Sequence, residues 1–149
     1  MSTLRFRRPL GSDRGAELIE FALVLPVLLL LLAGILDMGF LFKDWEVVTN
    51  AAREGARVAA LPGWVLVDVQ SRVNTYLSDG GLQGTATTTV DATTITVGAR
   101  TINCIKVTVS YPHTYLILGP VAQMIQGGSV SNITLKAAST MRTEVAAGL

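Results

Sequence analysis

The sequence has few of the residues from which catalytic, metal-binding and disulfide-stabilised sites are built. Its 149 residues include one cysteine, Cys104, and one histidine, His113. A single cysteine cannot form an intrachain disulfide, and one Cys with one His is not a set of metal ligands. His113 follows Pro112 in a predicted turn, without a Ser, Cys or carboxylate at a recognisable catalytic spacing. We therefore expect a protein that is not an enzyme and uses no cofactor and no metal.

Charge is also scarce, whereas apolar residues are abundant and concentrated. Charged residues make up 15% of the chain and the net charge is +1, so we expect no nucleic-acid partner, which would require a concentrated basic face. Half of the residues are hydrophobic. Residues 18–36 form an apolar run that only Glu20, Pro26 and small residues interrupt. As a helix this run is roughly 28 Å long at 1.5 Å per residue, about the thickness of a bilayer core.

A short basic segment precedes the apolar run. Its charged residues are Arg5, Arg7, Arg8, Asp13 and Arg14. Basic residues beside a first membrane segment stay in the cytoplasm, which predicts a single-pass anchor with the N-terminus inside and the C-terminus outside. A secretory signal peptide is the alternative, but the run is longer than a usual h-region and no A-x-A-like site follows it. We therefore expect the run to remain in the protein as its anchor.

Two residues in the anchor are unusual for a membrane helix. Glu20 lies near the cytoplasmic edge, where a carboxylate costs less than the ~2.5–3.5 kcal/mol of a helix centre. In one interpretation Glu20 reaches the headgroups, or Glu17 and Glu20 are stabilised by the positive end of the helix dipole. In the other, Glu20 pairs with a positive group on another subunit. Polarity alone leaves both readings open. Pro26 lacks an amide donor and clashes with the carbonyl of Ala22, which predicts a kink or a loosened turn.

Residues 15–21, GAELIEF, follow a basic leader and open an apolar helix, and so resemble the prepilin-peptidase signal of type IV pilins and pseudopilins. The longer stretch RGAELIEFALVLPVLLLLLAGILDMGFLF, with NAAREGARVAA and the tail LKAASTMRTE over residues 135–144, resembles the TadE-like proteins of tight adherence (Flp-type) pilus systems. The resemblance implies a minor pilin (pseudopilin) that takes part in assembling or priming an adhesive pilus. It also implies a place in the bacterial cytoplasmic membrane, with incorporation into the extracellular pilus left open.

The resemblance assigns roles to particular residues and partners. A prepilin peptidase would cut between Gly15 and Ala16, so that Glu20 becomes the fifth residue of the mature chain. Glu20 and Phe21 would serve assembly, with Glu20 paired to the new α-amino group of a neighbouring subunit. The implied partners are the peptidase, other pilin or pseudopilin subunits, the assembly platform and the membrane. The alternative is an uncleaved bitopic envelope protein whose β domain binds a ligand or partner.

The helical pattern continues beyond the membrane run into residues 37–61. Apolar and small residues recur there at intervals of three and four and predict one buried stripe: Leu41, Trp45, Val48, Ala52, Gly55 and Ala59. The small residues of its second half let another element approach closely, and Pro62 with Gly63 ends the helix. We divide the chain into a leader (1–15), a transmembrane helix (16–36), an extracytoplasmic stalk helix (37–61) and a small extracytoplasmic α+β domain (62–149).

The sequence of residues 62–149 predicts one more helix and a small sheet. Residues 64–77 have valines and a leucine spaced by four, and 85–90, 93–97, 102–111 and 130–142 alternate as strands do. In the third strand Ile105, Val107, Val109 and Tyr111 share one face, whereas Cys104 falls on the other. There we expect a weakly buried thiol, with a free thiol or an intersubunit disulfide as the alternative. Residues 115–126 predict either a short helix or a membrane-proximal loop. The predicted fold is α+β, with a long pilin-like N-terminal helix packed on a second helix and a small antiparallel sheet.

Overall fold

The computed structural model of the chain describes residues 13–126 and 132–143, so leader residues 1–12 and Glu144 of the tail lie outside them. The elements are α1 (Asp13–Ala59), α2 (Leu66–Asp79), β1 (Thr87–Val97), β2 (Arg100–Thr114), α3 (Leu118–Gln126) and β3 (Asn132–Arg142). The strands form an antiparallel sheet in the order β1-β2-β3. This architecture confirms the predicted α+β class, and α3 shows that 115–126 contains the short helix.

Helix α1 has two parts with different surroundings. Its 47 residues correspond to about 70 Å at 1.5 Å per residue, and the helix continues through Pro26. Within the apolar run, every residue over 18–32 is exposed and Ala33 is the first to be buried. From Val48 to Ala59 the inward face of α1 is fully covered by the rest of the protein. The first part of α1 is therefore apolar and uncovered by the described residues, whereas the second part belongs to the core.

The core lies where α1, α2 and the sheet meet. Val69, Val73 and Leu77 of α2 are spaced by four and buried, which confirms the second helix with its start shifted by two residues. A Cβ atom on Gly55 of α1 would lie 2.7 Å from Val73 Cγ2 and 3.2 Å from Val107 Cγ1. A glycine at position 55 is thus what allows α1 to approach both neighbours this closely.

The inward stripe of α1 departs from its prediction at one residue. Val48, Ala52, Gly55 and Ala59 are buried as expected, and Leu41 is half-buried. The indole of Trp45 is instead 51% exposed, and the neighbouring Asp44 faces the sheet. Both positions fit between residues 41 and 48 at helical spacing, so the pattern of apolar residues alone could not decide between them.

Strand β1 is one strand where two were predicted. Asp91 and Ala92 separate the predicted strands, but Asp91 lies directly opposite Lys106 of β2 and both are exposed. Opposite charges placed across from each other favour continuous pairing, which explains why an acidic residue does not end the strand. The chain then reverses in a two-residue turn at Gly98 and Ala99, where the φ of Gly98 is +63°. A glycine in the first turn position with positive φ is typical of a type II′ hairpin.

Strand β2 confirms its predicted inward face and extends further than expected. Ile105, Val107, Val109 and Tyr111 are buried, and Cys104 is a buried free thiol. The strand runs on to Thr114, so the prediction that His113 lies in a turn is wrong. Pairing with β1 stops at Ser110, so Pro112 lies where β2 pairs with β3 alone. A proline is tolerated at such an edge because no second neighbour needs its missing N–H.

Candidate functional site

The residues implied in processing and assembly all lie on the first turns of α1. Gly15 is half-buried, and Ala16, Glu20 and Phe21 are exposed. In the part of the chain that the structure describes, no side chain forms an ion pair or hydrogen bond with Glu20. The fold therefore brings these residues together only through their spacing on one helix.

The apolar segment that follows has the length and composition of a membrane span. The helix over Gly15–Ala59 contains a stretch long and apolar enough to cross a bilayer, and the residues that the structure describes cover almost none of that stretch. A core helix of a soluble domain would have its leucines buried, whereas Leu23, Leu28 and Leu31 are all exposed. Pro26 lies within this exposed part of the helix.

Asp37, the residue that ends the apolar run, holds α3 against α1. Its carboxylate is 1% exposed. Oδ1 accepts hydrogen bonds from the backbone N–H groups of Leu116 (3.2 Å) and Ile117 (3.1 Å), and Oδ2 accepts from Ile117 (3.2 Å) and Leu118 (2.7 Å). The first N–H groups of a helix have no partner within it and carry partial positive charge, so a carboxylate there is stabilised. Asp37 thus caps α3 from another helix.

Asp44 makes a second polar link from α1, two turns further along. Its Oδ2 lies 2.7 Å from Nδ1 of His113, a residue 69 positions away in the sequence. The imidazole is 4% exposed and meets the ring of Tyr115 edge-on, with 5.5 Å between the ring centres. The partner of His113 is thus a carboxylate too distant in the sequence for any catalytic spacing to indicate it. We call Asp37, Asp44 and His113 the polar clasp, because they join α1 to β2 and α3.

Tyr111 lies beside the clasp on the same face of β2. Its hydroxyl donates a hydrogen bond to the carbonyl oxygen of Gln83 at 3.0 Å. Burial, with a smaller contribution from the negative charge of Asp44, raises the pKa of Tyr111 above its usual value. The phenol therefore remains a neutral donor that ties the strand to the loop after α2.

The clasp orients groups but does not assemble a reaction centre from the described residues. Nδ1 of His113 is held by Asp44, whereas its Nε2 is buried and has no hydrogen-bond partner among the residues in the structure. Across 13–126 and 132–143, no three His, Cys, Asp or Glu side chains gather as a metal site would require. What the geometry supports is a structural connection between helix and sheet.

The N-terminal part of the chain also matches a known family. Residues 15–57 match the family model described as TadE-like protein. Over these residues the chain is TadE-like. The match confirms the predicted resemblance there; the tail over residues 135–144 lies outside it. No curated protein and no solved structure matches the chain.

The TadE-like region begins at Gly15, the residue before the expected cut, and includes the apolar run together with Asp37 and Asp44. It ends in the buried half of α1, so α2, the sheet and α3 lie beyond it. The matched region thus contains the whole stretch of α1 that is long and apolar enough to cross a membrane.

Sequence reasoning missed the two aspartates of the clasp. A signal for them exists: Asp37 and Asp44 are seven residues apart and alternate with Leu41 and Val48 at intervals of four and three. Polar residues that recur at helical spacing within an otherwise apolar stripe lie on the inward face, where they require partners. His113 and the start of α3 are those partners, and their distance along the chain hides them from local patterns.

Proposed function

We propose that this chain is a minor pilin, or pseudopilin, of a tight adherence pilus. It is inserted with its N-terminus in the cytoplasm and its α+β domain outside the bacterial cytoplasmic membrane. A prepilin peptidase cuts it between Gly15 and Ala16. The observation that carries the proposal is the TadE-like match that starts at Gly15 and continues into an apolar helix that the described part of the chain leaves exposed.

The exposed apolar surface of α1 continues beyond the membrane run, which supports a role in subunit packing. Phe40, Phe42 and Trp45 are all exposed. Trp45 is nine residues beyond Leu36, about 13 Å along a helix that rises 1.5 Å per residue. The headgroup region on each side of the hydrocarbon core is about 5–8 Å thick. Trp45 therefore lies above the lipid, and the helix of a neighbouring subunit is the partner that covers it.

Glu20 forms an ion pair between subunits in the same assembly. Its carboxylate has no partner within the described chain and lies at the edge of the hydrocarbon, where an unpaired charge is costly. Cleavage before Ala16 creates a positively charged α-amino group at a similar depth on every subunit. Pairing Glu20 with this group of a neighbour neutralises both charges, and Phe21 packs beside them. Pro26 loosens the helix so that it adapts to the filament.

The test is the N-terminal sequence of the protein from cells with and without the prepilin peptidase. We expect the chain to begin at Ala16 in the first case and to retain its leader in the second. Gly15→Leu places a large side chain at the cut and should block processing. Gly39→Leu is the matched control, because Gly39 is in the same helix with open space around it.

A leader retained in both strains would contradict the proposal. The chain would then be the uncleaved membrane-anchored envelope protein whose β domain binds a ligand or a partner.

A further inference from the structure

Helix α3 is apolar and partly uncovered in the structure. Residues 114–135 contain no Asp, Glu, Lys, Arg or His. Leu116, just before the helix, is 67% exposed, and Met124 in its last turns is 89% exposed. Large apolar side chains in so uniformly uncharged a segment indicate a surface that an apolar medium covers.

The polar clasp determines the depth at which α3 lies relative to the membrane. The N-terminal amides of α3 bind Asp37, which directly follows the apolar run that ends at Leu36. One residue along α1 corresponds to about 1.5 Å, so α3 begins at the boundary between hydrocarbon and headgroups. Ala33, one turn earlier, is the one buried residue of the run 18–36.

We propose that Leu116 and α3 form a second membrane contact, lying in the boundary between acyl chains and headgroups on the side of the α+β domain. The occupant is a lipid surface because Asp37 holds the start of α3 at the level where the apolar run of α1 ends at Leu36. Interfacial helices that select anionic lipids have a Lys- or Arg-rich polar face, which α3 lacks. The contact therefore depends on apolar burial and is indifferent to headgroup charge.

This contact restrains the orientation of the α+β domain. Asp37 ties α3 to α1, and the lipid boundary then supports α3 from below, so the domain is held at two points instead of one. The cap also hides the carboxylate of Asp37 at a depth where an unpaired charge would oppose insertion.

The inference rests on α1 spanning a membrane but not on processing by a peptidase. It is tested on the full chain in phosphatidylcholine vesicles, with Cys104→Ala as the background. Single cysteines carrying a nitroxide spin label are introduced by Met124→Cys and Leu116→Cys. Leu29→Cys is the control within the span, and Thr75→Cys on the exposed face of α2 is the control in water. Power saturation compares collisions with oxygen, which is enriched in lipid, and with a water-soluble nickel chelate.

The labels at Met124 and Leu116 should show an oxygen-to-nickel ratio several-fold above that of Thr75 and below that of Leu29. The ratio should not change when the protein is diluted in lipid or when phosphatidylglycerol is added. A ratio at Met124 equal to that at Thr75, with Leu29 in lipid, overturns the proposal. A ratio that falls on dilution assigns the patch to a second copy and overturns it as well. A ratio at Leu29 as low as that at Thr75 would refute both the membrane span and this contact. Failure of cleavage by the peptidase would contradict the proposed function but neither the span nor the contact.

Discussion

At the scale of single residues, Asp44 decides which side of the stalk faces the sheet. The larger apolar side chain next to it, Trp45, is exposed, although burying a tryptophan removes more apolar surface than burying an aspartate. The pairing with His113 at 2.7 Å explains this choice. Without Asp44, Nδ1 of the buried imidazole would join Nε2 as an unsatisfied polar atom, which costs about 1–3 kcal/mol.

Removing one side of this pair should destabilise the protein. For Asp44→Ala we expect a loss of about 1–3 kcal/mol in the free energy of unfolding, since His113 then has no hydrogen-bond partner. Asp44→Asn should cost less, because its amide oxygen still accepts from Nδ1–H. Lys43→Ala is the control: Lys43 is exposed and 4.0 Å from the Asp44 carboxylate, so we expect a change below about 1 kcal/mol. Urea titration of the detergent-solubilised protein measures all three, and equal stability of Asp44→Ala and Lys43→Ala would refute a structural role for the pair.

At the scale of elements, the second half of α1 is a packing surface built from small residues. Ala51, Ala52, Gly55, Ala56 and Ala59 are all buried, and α2 and the sheet approach the helix over them. Helices pack this closely only where side chains do not hold the backbones apart. Helix propensity and packing therefore oppose each other at Gly55. Glycine lowers the stability of the isolated helix, but it allows α2 and the sheet to pack closely against α1.

Replacing glycine by alanine should change the stability in opposite directions at Gly55 and Gly39 of α1. Gly55→Ala should destabilise the protein, because overpacking costs about 1–3 kcal/mol and the β-branched side chains of Val73 and Val107 cannot turn away. Gly39→Ala, with open space around it, should be neutral or stabilising by up to about 1 kcal/mol from helix propensity. Thermal unfolding of the two variants under identical conditions compares them. A Gly55→Ala protein as stable as Gly39→Ala would show that the contact at residue 55 is looser than the structure has it.

At the scale of the whole molecule, the protein is asymmetric along its length. One end of α1 is an apolar helix whose residues 18–32 are exposed in the described structure, and the other end is packed into an α+β domain, with the polar clasp where they meet. Such a molecule leaves a long exposed apolar surface for lipid or for other subunits. Glu20 is the charged residue within the apolar run 18–36, and our proposal places its partner on another subunit.

Glu20→Ala should therefore impair assembly without affecting the fold. We expect several-fold fewer pili in sheared fractions, whereas the amount of membrane-bound protein stays the same, because Glu20 has no partner within the described chain. Glu17→Ala is the matched control, since Glu17 is exposed one turn earlier on the same helix. Equal losses for both variants would indicate a general effect of negative charge at the start of the helix, and no loss for either would exclude Glu20 from assembly.

Local patterns predicted most of the elements but not their polar connections. The long helix, α2 and the inward face of β2 follow from periodicity that a short window of sequence displays. The division of β1 into two strands was wrong because the charge that balances Asp91 lies on another strand. His113 was assigned to a turn because Pro112 usually ends a strand, and only the early end of β1 makes that proline acceptable.

The sequence by itself determined that this protein has an apolar helix of membrane length, a TadE-like N-terminal region and an α+β domain. These are properties of composition, spacing and motif, which are local along the chain. Only the tertiary structure decided that Asp37 caps α3 and that Asp44 faces inward to His113. Both depend on contacts between residues about 70–80 positions apart, and a buried carboxylate is stable only once folding supplies its donors.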